Sequence, residues 1–138
     1  MTEIATRVRA WAKGMYPTEA GAELLIRHGA IHDGAPWLTD HGGLTSIDTF
    51  VLLDETGAWS GGERRIVAIA ASLLDGAPVD LCDIIPGLDR KNLALVLAAI
   101  AHANGSHEDG GIRFSDDGVP LGFYRDSSLY PWPEPISR

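Results

Sequence analysis

Cysteine is nearly absent from this chain. Cys82 is the only one in 138 residues, so no intrachain disulfide can form, and the expected compartment is a reducing one, the cytoplasm. Lysine is almost as scarce, with Lys13 and Lys91 alone. Neither ends a Gly-x-x-x-x-Gly-Lys segment, so the chain has no P-loop for nucleotide phosphates. Long apolar runs are missing too. The longest, residues 93–101, is about half of what a bilayer requires, and Met1-Thr2-Glu3 opens without the apolar stretch of a secretory signal. Positive charge is in deficit. Eleven Lys and Arg face nineteen Asp and Glu, a formal charge of −8. Nucleic-acid affinity comes mainly from cations meeting phosphates, and anionic membranes attract the same groups. Neither is expected as a partner.

What is present is an ordinary globular composition, 45% hydrophobic and 22% charged. The length suits one domain, residues 1–138. Helical spacing joins Ile4, Val8, Trp11, Ala12 and Met15, with Gly14 near the stop. A second helix begins around Pro17 and Thr18 and ends at Arg27-His28-Gly29, a basic last turn and a glycine cap. The stretch 30–43 reads as loop, with Trp37 and Leu38 plugging it into the core. Thr45 and Asp48 suggest a capping box ahead of a short helix through Leu53, against which the β-prone Thr49-Phe50-Val51 argues for a strand.

Trp59-Ser60-Gly61-Gly62-Glu63-Arg64-Arg65 resembles the signature loop of ABC-type ATPases, a helix start facing a phosphate. The P-loop that such a segment serves is absent, and the same residues read as a Ser60/Glu63 capping box. Ile66, Ile69, Ala70, Leu73 and Leu74 follow at helical spacing, closed by Gly76 and Pro78. Residues 79–85 form a helical turn ended by Pro86-Gly87. Asp89 then caps the most apolar helix, residues 90–103, with a stripe of Leu93, Val96, Leu97 and Ile100. Apolar all round, it is expected to be the buried central helix.

The last third is β-prone. Ile112-Arg113-Phe114 and residues 119–124 flank Asp116-Asp117-Gly118, a hairpin signal. Pro120 marks an edge strand. Tyr130-Pro131-Trp132-Pro133 should be extended and lie either on its own helices or on a second copy. The expected fold is therefore mainly α (α+β): a compact helical body over about 1–105 around a buried central helix, then a C-terminal β-hairpin and extended tail over about 106–138.

Chemistry-bearing residues are few. His28, His32, Asp33 and His41 are the candidates for a metal, but His28 and His32 straddle the glycine stop at Gly29 and no Cys pair or His-Glu-x-x-His supports them. His102, His107, Glu108 and Asp109 form a second polar group. Cys82 stands between Leu81 and Ile84 beside Asp83, which suggests an inert core thiol. No Gly-x-Ser-x-Gly elbow exists. No cofactor and no catalytic residue is assigned. Arg64, Arg65, Arg90 and Lys91 place cations at two helix starts, where the dipole disfavours them. These, with Tyr130 and Trp132, are the candidate partner-binding residues. The expected function is a non-enzymatic protein-interaction or accessory module, through a protein partner or self-association. The alternative is a small hydrolase or metal-binding enzyme built on the four His and Asp candidates. The third option is an acidic nucleic-acid mimic.

Overall fold

The computed structural model describes residues 3–134. Six helices and two antiparallel hairpins follow in the order α1 (Glu3–Ala12), α2 (Tyr16–His28), β1 (Leu38–His41), β2 (Leu44–Ile47), α3 (Thr49–Glu55), α4 (Gly61–Asp75), α5 (Leu81–Ile84), α6 (Arg90–Asn104), β3 (Gly110–Phe114) and β4 (Pro120–Arg125). Short 3₁₀ turns at Ile85–Gly87 and Ser106–Glu108 follow α5 and α6. The mainly helical α+β class read from the sequence is the one observed.

The helix ends follow from local chemistry. The Ser60 hydroxyl oxygen accepts from the Glu63 N–H at 3.3 Å, and its O–H donates to the Glu63 carboxylate at 2.8 Å. The glutamate thus meets the serine hydroxyl rather than the serine N–H. Asp89 accepts from Asn92 N–H at 2.7 Å to start α6. For α3 the cap is Asp48, which accepts from Val51 N–H. Thr45 lies on β2 instead, and the Thr49–Val51 stretch is helical.

The buried central helix is α2, packed against α1, α4 and α6. Leu24 and Leu25 are fully buried, and Ala20, Gly21 and Ala22 bring neighbouring backbones close. A Cβ on Gly21 would stand 2.8 Å from Leu74 Cγ and 3.0 Å from the Ala70 carbonyl oxygen. Helix α6, expected in that place, is a flank. It turns Leu95, Val96, Ala98 and Ala99 inward and leaves Leu97 38% and Ile100 52% exposed. A helix apolar on every side carries no periodic signal for its inner face, and the small alanine side took it.

Cys82 is exposed, not a core thiol. It stands on the single turn α5, whose one buried residue is Ile84. Trp37 is buried as expected, its indole N–H donating to the Ala30 carbonyl at 3.1 Å. The predicted loop over 30–43 contains strand β1. It pairs with β2 in the register Leu38↔Ile47 to His41↔Leu44. Gly42 and Gly43, both at positive φ, make the two-residue turn. Among the described residues no helix is long and apolar enough to cross a membrane.

Candidate functional site

Helix α6 ends in His102 and Asn104, and Gly105 (φ 86°) reverses the chain. Only glycine fits here, since a Cβ would also meet the Tyr16 ring at 2.8 Å. The following 3₁₀ turn lays His107 back over His102. Their rings stack with centroids 4.0 Å apart and planes 19° from parallel. Tyr16 closes the edge, 5.0 Å from the His107 ring centroid.

Glu19, in the first turn of α2, meets this pair from 83 residues away in sequence. Its Oε1 lies 2.8 Å from His102 Nε2. The Gly14 N–H donates to Oε2 at 2.8 Å and fixes the carboxylate. Burial alone would raise the Glu19 carboxyl, but that N–H and the two histidines outweigh it and hold the group below its ordinary range. Glu19, His102 and His107 are the one group of three or more His, Cys, Asp or Glu among the described residues whose donor atoms come within metal-binding reach, 4.8 Å of one another.

The tail covers the far side of His102. The Trp132 indole N–H donates to His102 Nδ1 at 3.4 Å. Because Nδ1 accepts, the proton of the neutral ring sits on Nε2 and points at Glu19. Arg27 holds the tail from behind: its guanidinium lies 5.1 Å over the Trp132 ring and donates to the Pro133 carbonyl at 2.9 Å. Next to it Glu23, with its side chain 13% exposed, takes a two-pronged bond from Arg9 (2.8 and 2.9 Å) and one from Arg27 (3.0 Å). Burial pushes the Glu23 carboxyl up, the two guanidinium groups push it down further, and the net shift is downward. Arg9, Lys13, Glu19, Glu23, His102 and Trp132 line a cleft of about 380 Å³.

The histidines singled out for metal binding do not meet. His28, half-buried at the end of α2, faces Glu63, Asp89 and Lys91; burial, the largest influence on it, lowers its basicity. His32 touches Trp37 and the Asp33 carbonyl. His41 pairs with Ser46 Oγ across the first hairpin at 2.9 Å. The second polar group is brought together in part. His102 and His107 join, whereas Glu108 turns away to Arg125 at 3.4 Å. Glu19 was not legible as their companion, because no local spacing links it to them.

Of the basic residues at the helix starts, Lys91 lies near His28. Arg65 folds back to the Gly87 carbonyl at 3.4 Å, while Arg64, Arg90 and Lys91 stay in solvent. Of the tail aromatics, Trp132 packs on the core and Tyr130 is exposed. No family model, no curated protein and no solved structure matches the chain.

Proposed function

We propose that the chain is a non-enzymatic interaction module, and that the hairpin β3–β4 is the arm that engages a partner protein. One observation carries this reading. The hairpin contributes no residue to the core, yet Ile112, Phe114, Val119, Leu121 and Phe123 are all exposed, Phe123 at 90%. Ile112 and Phe123 face each other across the strands, and Phe114 stands two residues along from Ile112, so large apolar groups share a face.

A lone two-stranded hairpin is marginal in water, and a contiguous exposed apolar surface marks a contact site. On the opposite face Arg113 lies 5.6 Å over the Tyr124 ring, which stiffens the arm. The net charge of −8 and the acidic tip Asp116-Asp117 favour a partner whose apolar patch has a basic rim.

A photo-crosslinking residue at position 123 tests the idea in cells of the native host, with the same residue at exposed position 54 as control. The expected result is one discrete adduct from position 123 alone. Ile112→Asp should abolish it without moving the melting temperature. An adduct of twice the chain mass would replace the partner with a second copy. No adduct specific to position 123 would overturn the reading.

A further inference from the structure

We propose that Glu19, His102 and His107 bind one zinc-class divalent ion, and that this ion and the Trp132 indole compete for His102. The site lies outside the hairpin and does not rest on the interaction reading.

Two imidazoles and a carboxylate are a common donor set for borderline divalent metals, with a fourth position left to water. Their donor atoms already lie within 4.8 Å of one another, and all three side chains are half-buried rather than free in solvent. The Gly14 N–H on Glu19 Oε2 is the kind of supporting bond that orients a ligating carboxylate.

His107 Nδ1 is buried and has no hydrogen-bond partner. A buried polar nitrogen without a partner is costly, and in a cluster of metal-ligand type an ion would satisfy it. The two rings now stack nearly parallel, so converging on one ion requires the His107 ring to tilt. It stands on a single 3₁₀ turn, and no bond at Nδ1 opposes the tilt. Of the two cations that line the adjoining cleft, Arg9 is tied to Glu23 and Lys13 is exposed to solvent.

The competition follows from proton counting on His102. At present Nε2 carries the proton toward Glu19, and Nδ1 accepts from Trp132. An ion at Nε2 takes that proton's place, so the neutral ring must carry its proton on Nδ1, against the Trp132 N–H. An ion at Nδ1 uses the lone pair that Trp132 needs. In both cases the Trp132 bond is lost, and binding loosens the tail.

The test is calorimetric titration of the full chain, freed of metal by chelator, with zinc sulfate. Cobalt(II) absorption serves as a second readout of coordination. One equivalent of zinc should bind, with no response to magnesium or calcium. Glu19→Gln and His107→Ala, each checked for a native circular dichroism spectrum, should weaken zinc binding by more than about 100-fold, beyond the loss typical of a supporting residue. His32→Ala should leave it unchanged. Trp132→Phe keeps the ring and removes the competing N–H, so it should bind zinc more tightly than wild type. Failure of wild type to bind one equivalent, or undiminished binding in Glu19→Gln and His107→Ala, would overturn the site. An affinity unchanged by Trp132→Phe would overturn the competition.

Discussion

At the scale of single residues, a few ionisable groups stand where burial would penalise their charge unless paired. Glu23 is the clearest case, a carboxylate between two guanidinium groups. His28 is the opposite case, a half-buried imidazole among Glu63, Asp89 and Lys91 whose basicity falls chiefly because of burial. Its sign in the stability curve is fixed. The folded form resists protonation, while the unfolded chain takes a proton near the ordinary histidine value of about 6.5. The stability it contributes is complete above that pH and is lost as pH falls toward the folded value. The urea midpoint of wild type should therefore drop between neutral and mildly acid pH, and His28→Gln should drop less. Parallel curves for the two proteins would refute the assignment. Glu23 adds a second loss at lower pH, below the ordinary glutamate range, by the same sign.

At the scale of elements, much of the architecture could be read in advance. Ser60, Asp89, Gly29 and Gly76 mark helix ends by side-chain oxygen or positive φ, and the structure uses each one. Such signals are local, and local signals survive without tertiary knowledge. The strands β1 and β2 were missed although Gly42-Gly43 announces a turn, because four-residue strands leave too little alternation to detect. The helix at the centre is α2 and not the more apolar α6. The stripe Leu93, Val96, Leu97 and Ile100 is the more apolar side of α6, yet the molecule turns the smaller alanine side inward and leaves Leu97 and Ile100 exposed, whereas α2 carries the small Ala20-Gly21-Ala22 that lets its neighbours approach. The pairing of Glu19 with His102 depends wholly on how α2 meets α6, so nothing in the sequence pointed to it.

The central position of α2 has a measurable consequence. Gly21→Ala improves helix propensity by about 1 kcal/mol, yet its new methyl would stand 2.8 Å from Leu74 Cγ, closer than real Cβ atoms come, and a tight 3.0 Å from the Ala70 carbonyl oxygen. The clash should win, with a net loss of about 1–3 kcal/mol in chemical denaturation. A stabilised variant would mean that α2 and α4 are not in close contact.

At the scale of the whole molecule, the hairpin leaves the helical body and returns to the same spot. The Ser106 hydroxyl oxygen, buried at the end of α6, accepts from the Leu129 N–H at 2.7 Å, and its O–H reaches the Ser128 hydroxyl at 3.3 Å. The Asp126 N–H donates to the Asp109 carbonyl at 2.8 Å. Removing residues 110–125 and joining the ends by a short glycine link should leave the body's thermal transition nearly unchanged, because shortening a surface excursion costs little closure entropy. A collapse of cooperative unfolding would show that the arm supports the core after all.

Because its two feet meet at Ser106, the arm is a replaceable cassette. Insertions, deletions or wholesale exchange between these feet change what the molecule presents to others without passing through the residues that keep it folded. With the hairpin as the proposed contact arm, specificity could drift while the helical body stays still, and a different hairpin planted on the same feet should convert this body into a carrier for another contact.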